Sequence, residues 1–220
     1  MSLAPEVLSR LIAIVGENRV KIDADSLKTW GVDWTKIYSP NPAAIVFPTA
    51  IEQVRDIVLL ANELGFAIVP SGGRTGLSAG AVAANGEVVV SFDHMNKILE
   101  FVPEDRMVRI QAGVVTEQLQ NFAEEQGLYY PVDFASAGSS QIGGNIGTNA
   151  GGIKVIKYGM TRNWVMGLKV ITGKGDYLEL NKDMVKNATG YDFRHLFIGA
   201  EGTLGLVVEA TMKLERKPRD

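Results

Sequence analysis

Three short segments hold thirteen of the chain's 24 glycines within 33 residues. They are PSGGRTGLSAG at 70–80, GSSQIGGNIGTNAGG at 138–152 and GAEGTLG at 199–205. Glycine permits positive φ angles, and its lack of a Cβ lets backbone N–H groups approach a ligand closely. Backbone loops of this kind bind phosphate groups, so the sequence predicts one phosphate-bearing cofactor in contact with all three segments.

Side chains that perform covalent or acid–base chemistry are scarce. The chain has no cysteine and two histidines, His94 and His195, which are not spaced as metal ligands. This composition excludes disulfides, thiolate metal sites and a cysteinyl cofactor link, and it leaves little material for a metal cluster or a serine triad. We predict no metal site, identify no catalytic residue, and expect the chemistry to come from the cofactor.

The common nucleotide motifs are missing. No G-x-G-x-x-G follows a predicted strand, which excludes the Rossmann fingerprint. GKG at 173–175 lacks the upstream glycine and the following Ser or Thr of a P-loop, and its flanking strands predict a hairpin turn. The glycine segments must therefore bind their ligand in another arrangement.

Composition and charge limit the classes of partner and the location that the chain can have. The 220 residues are 46% hydrophobic and carry a net charge of −3, with Lys and Arg scattered along the chain. This pattern predicts no nucleic-acid partner. The N-terminal residues lack the regions of a signal peptide, and no segment is long and apolar enough to span a membrane. We therefore predict a cytoplasmic location.

A β-α-β unit over 43–76 positions the first glycine segment. Apolar residues recur at helical spacing between two apolar runs, Thr49 and Glu52 fit a capping box, and Gly65 fits a helix end. The second strand, Ala67 to Val69, leads directly into the first segment. Open α/β sheets bind phosphates at the carboxyl ends of their parallel strands, so this placement supports a binding role.

The rest of the chain is mainly antiparallel in pattern. Strands are predicted at 88–92, at 106–113 and from 204 onward, a helix at 116–127, and a hairpin at 164–180 that turns at 173–176. A turn region is expected from Asp93 to Asn96. The change of pattern near residue 104 predicts an α+β chain with two lobes, about 1–104 and 105–220.

The order of these segments, with YG at 158–159 and KNATGYDFRHLFIGAEGTLGLV at 186–207, resembles a known family. Over about residues 40–216 the chain resembles the FAD-binding domain of the vanillyl-alcohol oxidase and p-cresol methylhydroxylase superfamily. Within it, the chain is most similar to the flavin subunit of glycolate oxidase and to D-lactate and D-2-hydroxyglutarate dehydrogenases. The resemblance implies a smaller N-terminal β-α-β lobe and a larger, mainly antiparallel lobe, with FAD between them.

The resemblance also implies FAD contacts in each glycine segment. The first segment would bind the diphosphate through its backbone, the second would follow the diphosphate, ribityl chain and flavin ring, and the third would reach the adenine side and the flavin edge. The implied contacts are Pro70, Ser71, Gly72, Gly73, Arg74, Thr75, Gly76, Leu77, Gly138, Ser139, Ile142, Gly143, Gly144, Thr148, Asn149, Glu201, Gly202, Gly205 and Val207, with Asp133 a weaker candidate.

Two side chains in that set have open roles. Some superfamily members tether FAD through a histidine where this chain has Arg74, so the resemblance implies noncovalent FAD here. Arg74 either offsets phosphate charge, points to solvent or reaches the substrate side. Glu201 either contacts FAD or only braces its loop, since carboxylates often bond to loop N–H groups.

The activity implied by the resemblance is oxidation of a D-2-hydroxy acid, such as glycolate or D-lactate, by hydride transfer to flavin N5. Electrons would pass to a quinone, cytochrome or flavoprotein rather than to NAD, which allows a location peripheral to a membrane. The family's substrate domain follows this region, so the 220-residue chain alone is expected to be inactive. Another flavoenzyme of the same fold, such as an enolpyruvoyl-glucosamine reductase or a non-redox synthase, and a noncatalytic FAD-carrying electron-transfer subunit are the alternatives.

Overall fold

A computed structural model describes residues 3–181 and 184–218, which form two main β-sheets with helices packed against them. The helices are α1 (Pro5–Val15), α2 (Ala24–Trp30), α3 (Ile51–Leu64), α4 (Thr116–Glu125), α5 (Ile142–Gly147), α6 (Val155–Tyr158) and α7 (Arg194–Phe197), with 3-10 turns at Glu17–Arg19 and Thr161–Asn163. Among these described residues, no helix combines the length and apolar character needed to cross a membrane.

Eleven strands complete the described fold. They are β1 (Val20–Lys21), β2 (Ala44–Val46), β3 (Ile68–Ser71), β4 (Val88–Ser91), β5 (Ile98–Val102), β6 (Met107–Gln111), β7 (Leu128–Tyr129), β8 (Val165–Thr172), β9 (Tyr177–Leu180), β10 (Gly205–Lys213) and β11 (Glu215–Arg216). Short strands β7 and β11 pair only with each other.

The first sheet has the order β1-β2-β4-β3, and its last three strands are parallel. Helix α3 connects β2 to β3, so the predicted β-α-β unit is confirmed. Strand β4 lies between those two strands and is buried along its length, as expected of a central parallel strand covered on both faces. The carboxyl ends of β3 and β4 therefore lie side by side, at the start of the first glycine segment.

Helix α3 begins one residue later than predicted. Ala50 is its N-cap and makes no side-chain capping bond, so the Thr49–Glu52 capping box is wrong. The Thr49 N–H and hydroxyl instead bond to Gln53 Oε1, at 2.8 and 3.2 Å, which satisfies them one residue before the N-cap. The helix ends at Gly65 with a left-handed φ of 70°, as predicted.

The second sheet is antiparallel, in the order β5-β6-β10-β8-β9. Strands β8 and β9 form the predicted hairpin, and GKG lies in its turn. That turn contacts α3, because Asn62 and Arg55 of the helix donate hydrogen bonds to the carbonyl oxygens of Gly173 and Gly175, both at 2.9 Å.

The two sheets share apolar packing. Ile171, Leu206 and Val208 of the second sheet belong to the hydrophobic cluster that contains α1, α3 and the first sheet. Strands change from one sheet to the other between β4 and β5. The lobe division near residue 104 stays a prediction.

Tyr130 offers a test of the hydrophobic cluster that packs against the second sheet. Its side chain is 1% exposed, and its hydroxyl has no hydrogen-bond partner among the described residues. Burial raises the pKa of this hydroxyl above the ordinary tyrosine value, because the phenolate would lie in an apolar core. A raised folded-state pKa leaves stability intact below the unfolded-state pKa of about 10 and removes it as the pH rises above that value.

We expect Tyr130→Phe to keep the wild-type free energy of unfolding at pH 7, or to raise it by about 1 kcal/mol, because it removes an unbonded buried hydroxyl. Above about pH 10 the variant should lose stability less steeply than the wild type. Urea unfolding at about pH 7 and about pH 10.5 measures both effects. A loss of more than about 1 kcal/mol at pH 7 would show that the hydroxyl is bonded in the folded protein.

Candidate functional site

The three glycine segments meet around one cavity at the carboxyl ends of β3 and β4. The cavity has a volume of about 520 Å³ and lies between the two sheets, a size typical of small-molecule sites. It is lined by Pro70, Ser71, Gly72, Gly73, Arg74, Thr75, Gly76, Leu77, Ser78, Gly80, Ala81, Phe92, Ala112, Phe134, Ser136, Gln141, Gly143, Gly144, Asn145, Gly147, Thr148, Ala150, Gly151, Phe197, Glu201, Gly202, Gly205, Leu206 and Val207.

Glycine allows the segments to approach one another at backbone distance. A Cβ on Gly73 would overlap the carbonyl oxygen of Ser139, and a Cβ on Gly202 would lie 2.6 Å from Pro70 Cγ. The second and third segments are also joined directly, since the Glu201 N–H bonds to the Gly147 carbonyl oxygen at 2.9 Å. The three segments therefore form one continuous surface, as expected if a single ligand contacts all of them.

Positive φ angles occur at unexpected positions. Arg74, Asn149 and Glu201 have φ of 58°, 48° and 51°, whereas Gly72 and Gly73 are outside the left-handed region. The first segment thus uses its paired glycines for close approach rather than for φ. Left-handed backbone at residues other than glycine costs free energy and concentrates at binding sites. Glycine counting alone did not indicate these positions.

The first segment presents a run of free donors. From Gly72 to Ser78, none of the backbone N–H groups bonds to an acceptor within the described ranges 3–181 and 184–218. Most of this run is only partly exposed, and all of it lines the cavity. A run of successive backbone N–H groups without internal acceptors is the feature that phosphate-binding loops share, and it needs no cluster of cations.

Arg74 is held in place by an acidic partner. Its guanidinium lies 3.3 Å from Asp93 Oδ2, donates to the Gly72 carbonyl oxygen at 2.7 Å and sits 5.9 Å from the Trp30 ring. These contacts leave it 22% exposed, so it does not extend into solvent. Its positive charge is largely balanced by Asp93, so Arg74 adds little net positive charge to the cavity.

Asp93 also binds two further segments. Its Oδ2 accepts from Trp30 Nε1 at 2.7 Å, and its Oδ1 accepts from Gln141 Nε2 at 2.6 Å. Helix α2, the first segment and the second segment thereby meet at one carboxylate. The sequence analysis placed Asp93 only in a turn. Asp93 nevertheless follows parallel strand β4, and ligands of α/β sheets bind at the carboxyl ends of parallel strands. The reasoning that selected the first segment could therefore also have selected Asp93.

Two buried polar atoms of the lining have no partner. Ser71 is 1% exposed and Gln141 is 6% exposed, and neither Ser71 Oγ nor Gln141 Oε1 forms a hydrogen bond within the described part of the chain. An unbonded buried polar atom costs free energy, and both atoms are shielded by their neighbours rather than open to the cavity. Both atoms belong to residues of the cavity lining.

Core packing and buried hydrogen bonds hold the second segment in place. Ile142 and Ile146 of α5 are fully buried in the second hydrophobic cluster. On the same helix, Asn145 donates to Thr116 Oγ1 at 2.6 Å, and that hydroxyl is 2.7 Å from Ser140 Oγ. These contacts fix the segment against α4, while Gly143, Gly144 and Thr148 line the cavity.

Five residues of the predicted FAD contacts lie outside the lining. Asp133 accepts from Lys154 Nζ at 2.9 Å, Gly138 lies beside Glu117, and Asn149 Oδ1 accepts from the Arg162 N–H at 3.1 Å. The other two, Ser139 and Ile142, contact the first segment and the core respectively. Their roles in ligand binding stay predictions.

Glu201 lines the cavity near Gly80, where a Cβ would lie 3.3 Å from Glu201 Oε2. Its carboxylate accepts no hydrogen bond in the part of the chain that the structure describes, so it braces the loop through its backbone N–H alone. The carboxylate is therefore free to meet a ligand.

Aromatic residues are the part of the site that glycine patterns do not reveal. Phe92, Phe134 and Phe197 line the cavity and give it an apolar wall. Phe92 directly follows β4, so its place at the carboxyl end of a parallel strand could have indicated it. The other two come together only through tertiary packing, and the sequence carries no local signal for them.

Neither histidine lines the cavity. His195 lies in the short helix α7, with its Nδ1 3.0 Å from Arg162 Nη1 and its Nε2 3.4 Å from Asp192. His94 packs against the Phe47 ring at 4.9 Å between centroids. Both are accounted for by local contacts.

Comparison with known proteins agrees with this geometry. The family described as "FAD binding domain" matches residues 42–181. A D-2-hydroxyglutarate dehydrogenase of Stutzerimonas stutzeri is 72% identical over 97% of this chain and 46% of its own length. Glycolate oxidase subunit GlcD of Bacillus subtilis is 37% identical over 98% of the chain and 46% of its own length. The chain thus spans somewhat less than half of these relatives.

Solved structures show the same fold. An alkyldihydroxyacetonephosphate synthase superposes with a TM-score of 0.89 and 26% identity, over 100% of this chain and 42% of the other. A p-cresol methylhydroxylase superposes with a TM-score of 0.84 and 21% identity, over 98% of this chain and 44% of the other. The predicted α+β fold, of the p-cresol methylhydroxylase type, is confirmed.

Neighbouring glycines of α5 give a matched pair for testing the close packing. A Cβ on Gly143 would lie 2.7 Å from Ala112 Cβ, whereas a Cβ on Gly144 would meet no atom within 4 Å. We expect Gly143→Ala to lower the free energy of unfolding by about 1–3 kcal/mol through overpacking. Gly144→Ala should leave it unchanged or raise it by up to about 1 kcal/mol, since alanine favours helix. Thermal and urea unfolding measure both, and equal destabilisation by the two variants would contradict the described contact.

Proposed function

The chain belongs to the FAD binding domain family, and on that premise we propose that it forms the FAD-binding part of an oxidoreductase that acts on a D-2-hydroxy acid. The observation that carries the proposal is the glycine-lined cavity with its run of free N–H groups. The 72% identity to a D-2-hydroxyglutarate dehydrogenase, across nearly the whole chain, supports the class of substrate.

The residues of the cavity fit FAD. The N–H groups from Gly72 to Ser78 would hold the diphosphate, and Phe92, Phe134 and Phe197 offer apolar surface to an aromatic ring. Bound FAD would be noncovalent, because the lining contains neither histidine nor cysteine and Arg74 is occupied by Asp93.

FAD, when bound, supplies the capacity to accept a hydride from the carbon that bears the substrate hydroxyl. The chain's own contribution is to bind and orient the cofactor and to exclude water from one of its faces with the apolar lining. We assign no catalytic base to the described residues. A group that takes the hydroxyl proton is expected in the part of the relatives that this chain does not span.

Substrate and acceptor are also proposals. D-2-hydroxyglutarate and glycolate appear in the names of relatives that extend well beyond this chain. The acceptor, whether a quinone, cytochrome or flavoprotein, and the cytoplasmic or membrane-peripheral location stay predictions.

A second candidate is a FAD-carrying subunit of a larger complex. The relative named as a glycolate oxidase subunit favours it. A synthase among the structural neighbours also shows that the fold serves more than one type of enzyme.

We expect the purified chain to retain FAD, with absorbance bands near roughly 370 and 450 nm that survive desalting and are released by acid or heat. Gly144→Ala should weaken FAD binding by about tenfold or more, because its methyl group would enter ligand space without disturbing the fold. Titration of tryptophan fluorescence with FAD measures both proteins. Flavin that stays attached after denaturation would contradict noncovalent binding, and equal affinity of the two proteins would contradict the placement of FAD beside Gly144.

The hydroxy-acid proposal is tested by turnover with a dye acceptor. A protein that extends this chain to the length of its relatives should oxidise D-2-hydroxyglutarate, D-lactate or glycolate, whereas the 220-residue chain should show no turnover even when loaded with FAD. The L-enantiomers of the first two acids serve as controls. Absence of turnover with all three acids in the FAD-loaded extended protein would reject the substrate class.

A further inference from the structure

We propose that Asp33 is a positioning residue for the FAD site, because it holds Ala79 in a left-handed conformation near the end of the first glycine segment. The inference rests on the proposed function and adds to it a residue outside the glycine segments. Asp33 lies before residue 42, where the match to the FAD binding domain family begins. It does not line the cavity, so it acts on the site through the backbone.

The Asp33 carboxyl group is buried and joins two parts of the chain. Asp33 is 3% exposed. Its Oδ1 accepts from the N–H and the hydroxyl of Thr35, at 2.9 and 2.6 Å, and its Oδ2 accepts from the Ala79 N–H at 2.8 Å. One oxygen therefore closes a local turn, whereas the other binds a residue 46 positions further along the chain.

Ala79 has a backbone conformation that its side chain disfavours. Its φ is 62°, in the left-handed region. This region is unfavourable for a residue with a Cβ, so it persists only where surrounding contacts hold it. The Val82 N–H bonds to the Ala79 carbonyl oxygen at 3.1 Å, which is a local turn. Asp33 supplies the long-range bond to the Ala79 backbone.

The bond from Ala79 to Asp33 lies at the end of the run of free N–H groups. That run ends at Ser78, and the Ala79 N–H is the next one along the chain. The neighbouring Trp34 N–H bonds to the Gly76 carbonyl oxygen at 3.2 Å. These two bonds hold the first segment on both sides of Ser78.

The directions of the free N–H groups depend on the backbone angles of the segment. If residue 79 relaxed to the negative φ that alanine prefers, the chain on one side of it would have to turn. The N–H groups before residue 79 would then change direction relative to the rest of the cavity. Loss of the Asp33 bond should therefore weaken FAD binding, although no side chain of the cavity lining is removed.

The first test separates the two oxygens of Asp33. Asp33→Ala removes all of its bonds, whereas Asp33→Asn can keep its amide oxygen on Thr35 but then turns an N–H toward the Ala79 N–H. Each variant should raise the FAD Kd by about tenfold, as expected for loss of one buried hydrogen bond. Thr35→Val is the matched control, because it removes a bond to Oδ1 and leaves the bond of Ala79 to Oδ2. Its FAD Kd should stay within about threefold of the wild type.

The second test asks whether glycine at position 79 removes the need for Asp33. Glycine adopts the left-handed region without steric cost, so Ala79→Gly makes that conformation available without the bond. Asp33→Ala should therefore raise the FAD Kd by about tenfold in the wild-type chain but by less than about threefold in the Ala79→Gly chain. Tryptophan fluorescence titration gives each Kd, and thermal unfolding without FAD reports whether each variant folds. If Asp33→Ala does not fold, Asp33→Asn takes its place in this comparison.

Weaker FAD binding that Ala79→Gly rescues supports the proposal. Wild-type affinity in the Asp33 variants overturns it, even with a lower melting temperature, because Asp33 would then only stabilise the fold. An equal loss of affinity in Thr35→Val, or a loss that glycine at position 79 does not rescue, also overturns it. Tighter FAD binding by Asp33→Asn would do the same, since the carboxyl group would then oppose the ligand. A folded wild-type chain without saturable FAD binding would instead reject the FAD site itself.

Discussion

Close backbone approach between three distant segments is the constraint on which this fold depends. The first segment packs against the carbonyl oxygen of Ser139, the third packs against Pro70, and α5 packs against Ala112. Each contact requires a residue without a side chain, and each lies on the wall of the same cavity. The glycines therefore set the distances between β3, α5 and β10 before any ligand is considered.

The second organising feature is the Asp93 carboxylate, which joins α2, the first segment and the second segment beside the cavity. Asp93 offsets the charge of Arg74, and Glu201 adds a further carboxylate to the lining, so the described lining has no net positive charge. Anion affinity then comes from oriented N–H dipoles, which are weaker individually but fixed in direction. Such a site selects a ligand by the shape of its phosphates rather than by total charge. The modest net charge of the chain is consistent with that arrangement.

How much of the fold and the site the sequence could predict depends on how far apart the interacting residues lie along the chain. The β-α-β unit, the hairpin at GKG and the meeting of the glycine segments follow from local spacing, and all are present. The Thr49 capping box failed because a side chain four residues away satisfied the same donors. Phe134, Phe197 and the bond between Asp93 and Gln141 depend on tertiary contacts across long stretches of chain, which no local pattern records. Short β5 was missed because only pairing with β6 defines it.

Strand β10 has a consequence for how the chain acquires its fold. It follows the other four strands of the second sheet in sequence, yet it is the middle strand of that sheet, between β6 and β8. Its pairing with β6 joins residues about 100 positions apart, which makes loop closure costly and folding slow. On the ribosome, the first sheet can assemble before β10 is made. Until then the other strands of the second sheet lack their central strand, and their apolar faces are exposed to chaperones or to other chains. The cavity is therefore completed only after β10 has been synthesised, and termination before β10 would leave the apolar faces of the other strands exposed and prone to aggregation.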